Sequence, residues 1–218
     1  MAEDMLMVPA PGALVEPPET SVRCQPAVST GSTGGAPAPG PGAADLVRTA
    51  LDFGFSQAAR MDVATLEVRD EVRAMCAADR CQSYARSWSC PPACGSLDGH
   101  RRTLARFHTG LLVQTTGTLD DPFDYDEMVR LGRLQQERVR GFRDVLRPHY
   151  PRLVALGNGA CTACDPCTYP SEPCRHPDQL LASMEAFGLV VADVCARNGL
   201  GYYYGPGTLT YTGCYLLE

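Results

Sequence analysis

Four thiols fall within fourteen residues in the run Cys161-Thr-Ala-Cys164-Asp-Pro-Cys167 followed by Cys174. Three sulfurs at two-residue intervals can turn toward one point, and they are poor disulfide partners for one another. Thiolates are soft, strongly donating ligands, so the spacing points to a metal or an iron–sulfur cluster. The first two intervals are those of the loops that wrap cubane clusters in bacterial ferredoxins; the last is longer. Zinc is the alternative, since four thiolates close a tetrahedral site. Zinc sites more often use two separated Cys-x2-Cys knuckles, so the continuous triple favours iron. Pro166, Pro170 and Pro173 stiffen the loop and reduce the entropy lost when metal binds.

A second stretch carries Cys76, Cys81, Cys90 and Cys94 at less regular intervals, with Tyr84 and Trp88 between them. Aromatic rings there either keep water from a metal site or form the core of a small loop-rich region. Two residues flank the downstream set. Arg175 is a fixed positive charge that would raise the reduction potential of a neighbouring cluster, unless it faces solvent. His176 reads as a first-turn helix residue rather than a ligand. The remaining histidines, His100, His108 and His149, are scattered and read as surface residues, and none pairs with a nucleophile.

Composition narrows the chemistry. All 19 basic residues are arginine, so a Schiff base, a pyridoxal phosphate anchor and a lysine-bearing phosphate loop are excluded. A net charge of −6 lacks the basic footprint of nucleic-acid binding. No apolar run approaches the roughly 20 residues of a membrane span. The first residues carry acids where a secretory signal would be positive, so the expected location is cytoplasmic. Thiols stay reduced there, and an odd count of 11 cysteines suits metal binding better than complete pairing.

The elements that must hold these thiols follow from periodicity. Residues 1–43 are rich in Pro, Gly and Ala and predict a disordered tail, with Cys24 outside the ligand set. Residues 44–218 form the cysteine-rich domain. Asp45 caps a helix carrying Leu46, Val47, Ala50 and Leu51 to near Gly54, an extended piece covers Gln57–Met61, and Asp62 starts another helical turn. Met75–Gly95 reads as loop, Ser96–Phe107 as helix and Gly110–Thr116 as a buried strand. Tyr125–Leu146 is the clearest helix, with Met128, Leu131, Leu134, Val139, Phe142, Val145 and Leu146 on one stripe and arginines on the rest. A strand, Arg152–Leu156, runs into the downstream cysteine loop. A helix is expected from His176 to Phe187, another over Val190–Asn198, and strands at Tyr202–Tyr204 and Thr208–Leu217. The fold class is α+β or α/β: a small mixed sheet with packed helices and two cysteine-rich metal loops.

The run Cys76…Cys81-Gln-Ser-Tyr84…Trp88-Ser-Cys90-Pro91-Pro92 resembles one signature of a family of predicted metal-binding proteins of unknown function in bacteria and archaea. Gly159-Ala-Cys161…Cys164…Cys167…Pro173-Cys174-Arg175-His-Pro177, with Ser183-Met184-Glu185-Ala186-Phe-Gly188, resembles its second signature. The resemblance runs from Asp45 to Glu218. It implies metal binding through Cys161, Cys164, Cys167, Cys174, Cys76, Cys81 and Cys90, with Cys94 standing where the family pattern has no cysteine. Three upstream ligands would leave an iron open to water or substrate. Glu185 would lie on a helix after the loop, as a hydrogen-bond acceptor or an acid/base group. The leading expectation is one or two [4Fe-4S] clusters serving electron transfer with a redox partner protein, or supporting a redox or corrinoid enzyme. The alternatives are a zinc-stabilised module docking through its Arg-rich helix, and an enzyme with an open-site cluster.

Overall fold

Leu111 and Val113 face one way from their strand and Leu112 the other, and all three are fully buried. A strand apolar on both faces needs a cover on each side, and this alternation organises the molecule. The computed structural model describes residues 43–218. The expected tail and Cys24 lie outside the described residues, except that Ala43 opens the first helix.

The elements in chain order are α1 (Ala43–Phe53), β1 (Gln57–Asp62), α2 (Asp70–Ala77), α3 (Leu97–Leu104), β2 (Thr109–Thr118), α4 (Tyr125–Leu146), β3 (Leu153–Gly157), β4 (Ala182–Ser183), α5 (Val191–Arg197) and β5 (Thr208–Leu217). The five strands form one mixed sheet in the order β1-β2-β5-β3-β4, and only the β3–β4 pair is parallel. The class is mixed α and β, as the sequence predicts. One face of the sheet, carrying Leu111, Val113, Leu153, Ala155, Tyr215 and Leu217, packs against Leu46 and Ala50 of α1 and Val139, Phe142 and Leu146 of α4. The other face, carrying Leu112, Val154, Leu156, Cys214 and Leu216, packs against Leu104, Phe107, Met184, Phe187 and Val194. Phe142 anchors the first core, its ring 5.2 Å from Phe53, 5.7 Å from Phe55 and 5.6 Å from Tyr215. Burying such a side chain contributes roughly 1.5–3 kcal/mol.

Caps fix where the helices begin. Asp124 accepts a hydrogen bond from the Glu127 amide and starts α4, and Ser96 accepts from the Gly99 amide and starts α3. Gly213 lets α4 lie close to β5: a Cβ there would meet the Leu156 carbonyl at 2.8 Å and Val139 at 3.0 Å. Among the described residues no helix is long and apolar enough to cross a membrane.

Three expected elements differ. The His176–Phe187 helix is instead a single 3-10 turn, Pro177–Gln179, followed by the short strand β4. Ala182 and Ser183 pair with Leu156 and Gly157, and Leu181, Ala182, Met184, Ala186 and Phe187 are all buried. That burial falls on both sides of the segment, which a one-faced helix cannot achieve. Tyr202–Tyr204 is loop, because Gln114 from β2 donates to the Gly201 carbonyl and accepts from the Tyr204 hydroxyl in place of a strand partner. On α4, Val145 is exposed, whereas Gln135, Gln136 and Arg143 are buried.

Candidate metal centre

The downstream cysteine loop is the connection between parallel neighbours: it leaves the end of β3 at Gly157 and returns to β4 at Ala182. A parallel pair requires a long crossover, and here the crossover is the thiol-bearing segment. The upstream stretch begins in the last turn of α2, which carries Cys76, and ends at Ser96, the cap of α3. All ten cysteines of the described residues are free.

Ser89 ties the two stretches together. Its hydroxyl accepts a hydrogen bond from the Cys161 amide at 2.8 Å, lies 2.9 Å from the Ser87 hydroxyl and stands 3.8 Å from the Cys90 sulfur. Trp88 does the same on the outside. Its indole donates to the Glu172 carbonyl at 3.1 Å, and its ring meets Tyr169 edge-on at 4.9 Å. Of the two aromatic residues between the upstream cysteines, Trp88 therefore joins the two loops.

Within the downstream loop the thiols act on one another. Burial pushes the Cys174 thiol up, the His176 amide pulls it down, and Cys161, Cys164 and Cys167 raise it further. Cys167 goes the other way. Burial would raise it, but the Tyr169 and Trp88 amides, the Ser87 hydroxyl and the Thr168 amide together bring it below the ordinary thiol value. Donors gathered around one sulfur favour its charged, metal-ligating form. His176 contributes a backbone donor, and its ring is exposed. Arg175 reaches across the loop to the Pro166 carbonyl.

The upstream thiols sit deeper. Burial pushes Cys90 up to about 11, with Ser89 opposing it and Cys81 and Cys76 adding to it. Cys94 is pushed up to about 12 by burial, opposed by Arg73 and raised further by Cys90 and Cys76. Its thiol lies 3.7 Å from the Ala186 carbonyl, among the apolar residues of the second core. Cys76 is raised by burial, lowered by Arg73, then raised by Cys81 and Glu185. Cys81 is exposed. Glu185, expected on a helix, sits in the turn after β4 with its side chain exposed. His100, expected at the surface, is buried: it stacks on Phe187 at 3.9 Å and meets the Cys94 carbonyl through Nε2 at 2.9 Å.

Thus Cys161, Cys164, Cys167 and Cys174 share the crossover between β3 and β4, and Cys76, Cys81, Cys90 and Cys94 share the stretch from the end of α2 to the start of α3. Among the described residues no three His, Cys, Asp or Glu side chains are drawn tightly enough together to hold a single ion. A cleft of about 470 Å³ opens where the loops meet, lined by Cys161, Cys164 and Cys167 together with Arg86, Arg133 and Glu137. Cys195 and Cys214 belong to the core and take no part.

The residues that organise the downstream loop come from α4, and sequence reasoning missed them. The Gln136 amide donates to the Asn158 and Ala160 carbonyls, both at 2.7 Å. Its carbonyl oxygen accepts from the Thr162 amide at 3.1 Å, the Thr162 hydroxyl at 2.9 Å and Arg140 at 2.7 Å. The signal available was a glutamine beside the apolar stripe of an amphipathic helix, one turn before an arginine. The arginines of α4 accordingly divide: Arg130 pairs with Glu127, Arg138 bonds Thr115, Arg140 enters the loop and Arg133 is exposed.

Residues 59–217 match the model of the family described as predicted metal-binding protein (DUF2284), and the chain belongs to that family. No curated protein matches it. Among solved structures, epoxyqueuosine reductase from Bacillus subtilis is similar over 80% of this chain and 45% of its own, with 11% identity and a TM-score of 0.39. The chain therefore spans less than half the length of that protein.

Proposed function

We propose that this member of a predicted metal-binding family holds an iron–sulfur cluster of the [4Fe-4S] type in its downstream loop, on Cys161, Cys164, Cys167 and Cys174. A second cluster sits at the upstream stretch, on Cys76, Cys81 and Cys90. The protein serves electron transfer with a redox partner protein, or is accessory to a redox or corrinoid enzyme, in a reducing compartment such as the cytoplasm. The observation that carries this reading is a Cys-x2-Cys-x2-Cys loop of free thiols in which the Cys161 sulfur accepts from the Ala163 amide at 3.5 Å and the Cys161 amide is held by Ser89 of the upstream stretch. Hydrogen bonds to ligating sulfur are one of the levers by which a protein sets cluster potential.

The donor set fits such a group. It consists of free thiols alone, the soft ligands that iron–sulfur clusters take. When bound, the cluster supplies one-electron chemistry. The chain's own residues fix the loop: Gln136 holds its first half to α4, Ser89 positions Cys161, and the Trp88 and Tyr169 rings meet edge-on across the two stretches. At the upstream stretch a second reading is favoured by Cys94, whose thiol is buried against a backbone carbonyl. Cys76, Cys81 and Cys90 would then leave one iron open to substrate.

Elemental analysis of anaerobically prepared protein tests the proposal. Iron and acid-labile sulfide in near-equal amounts are the expected result, with Cys161→Ser losing on the order of half the iron while keeping the fold. Zinc without sulfide would overturn the iron–sulfur reading and favour the zinc-stabilised module.

A further inference from the structure

Arg140 projects from the middle of α4 into the downstream loop and is held there on several sides. Its Nε donates to the Gln179 carbonyl at 3.1 Å. Nη2 donates to the Gln136 side chain at 2.7 Å and the Thr162 hydroxyl at 3.0 Å, and the same nitrogen lies 3.8 Å from the Cys161 sulfur. No carboxylate pairs with it among the described residues, so its charge is not cancelled by a neighbour. The upstream stretch repeats the arrangement. Arg73, one turn before Cys76 on α2, donates to the Gly95 and Ala186 carbonyls at 3.1 and 3.0 Å, and its Nη2 lies 3.9 Å from the Cys94 sulfur. Each cysteine stretch thus has one guanidinium, pinned by carbonyl oxygens and turned toward a thiol.

We propose that Arg140 is the charge-setting residue of the downstream centre, its pinned guanidinium turned toward the Cys161 sulfur and favouring negative charge on the thiolate-ligated group held there. The inference rests on reading Cys161 as a ligand, and it adds to that reading the residue that tunes the site. A thiolate-ligated cluster is anionic and gains one further negative charge when it accepts an electron. A cation fixed a few ångströms away stabilises the reduced form more than the oxidised one, and partial burial limits screening by solvent. Arg175, the sequence's own candidate for this role, donates to the Pro166 carbonyl, and among the described residues it makes no hydrogen bond to a sulfur. Arg140 is a positioning residue in this account, acting through Cys161.

The test is a midpoint-potential titration of the full-length, cluster-bearing protein, with dithionite supplying one electron per cluster and the reduced fraction followed by paramagnetic resonance. Arg140→Gln is expected to keep its iron and sulfide and to need about tenfold more reducing conditions for the same reduced fraction, a shift of about 59 mV downward. Arg140→Lys, which keeps the charge but not the fork that pins it, is expected to fall between the two. Arg133→Gln, an exposed arginine on the same helix, is expected to shift far less. An Arg140→Gln protein with the wild-type potential, or one matched by Arg133→Gln, overturns the proposal. Should Arg140→Gln arrive without cluster, Arg140→Lys decides: a lowered potential supports the proposal and an unchanged one overturns it. Iron and sulfide in the wild type, measured first, test the cluster separately. If the wild type holds zinc instead, release of zinc to a chelator replaces the potential: about tenfold faster loss from Arg140→Gln supports the role of Arg140, and an equal rate overturns it.

Discussion

At Cys167, burial and hydrogen bonding pull in opposite directions, and hydrogen bonding wins. At Cys90, opposed only by the Ser89 and Ser87 hydroxyls, burial wins and the thiol is pushed up to about 11. The contrast predicts an order of reactivity in metal-free protein. Iodoacetamide near pH 8 should modify Cys167 ahead of Cys174, and Cys90 at least tenfold more slowly than Cys167, as peptide mapping over time would show; equal rates would mean the amides around Cys167 do not act on its sulfur. This scale was half legible in the sequence. The thiols announce themselves by spacing, because ligand chemistry demands particular residue types at short intervals. What sets each thiol apart is supplied by Ser87, Ser89 and backbone amides, groups so common that no pattern distinguishes them. Arg140 is harder still, since its loop partners Thr162 and Gln179 lie 22 and 39 residues away.

Among the elements, the bounds of α4 were readable to the residue, though not all of its buried face, because a 22-residue amphipathic period with an aspartate before it leaves little freedom. The segment after the cysteines was not. Ala182–Ser183 is a strand only because β3 lies beside it, and two residues carry no period of their own. The same helix that reads so clearly hides another role, the stapling of the downstream cysteine loop by Gln136. Replacing Gln136 with leucine keeps roughly the same volume but strands the Asn158 and Ala160 carbonyls and the Thr162 donors. The expected loss is about 1–3 kcal/mol of unfolding free energy, seen in urea denaturation of the metal-free protein. Faster metal loss should accompany it. Wild-type stability together with wild-type metal retention would show that the loop holds itself.

For the molecule as a whole, the buried acids share one direction of response. Cys90, Cys94, Cys195, Cys214 and Tyr215 are all raised, chiefly by burial, so each is neutral in the fold and more acidic in the unfolded chain. Their contribution is complete below the unfolded thiol value of about 8.5 and is lost as pH rises toward the folded values, the Cys90 value being about 11. The melting temperature of metal-free protein should therefore fall steadily from about pH 8.5 to 10.5 in a calorimetric series; a flat profile would contradict the burial of these groups. The sheet order carries a different consequence. β5 lies between β2 and β3, yet it follows every other strand in the chain. A ribosome therefore makes both thiol-bearing segments before the strand that joins the two halves of the sheet. From Cys174 to Leu217 there are 43 further residues to add, a delay of roughly 2–9 s at common translation speeds. Until β5 is in place the frame beneath the two cysteine stretches is incomplete, so they take up their places only once the last strand has been made.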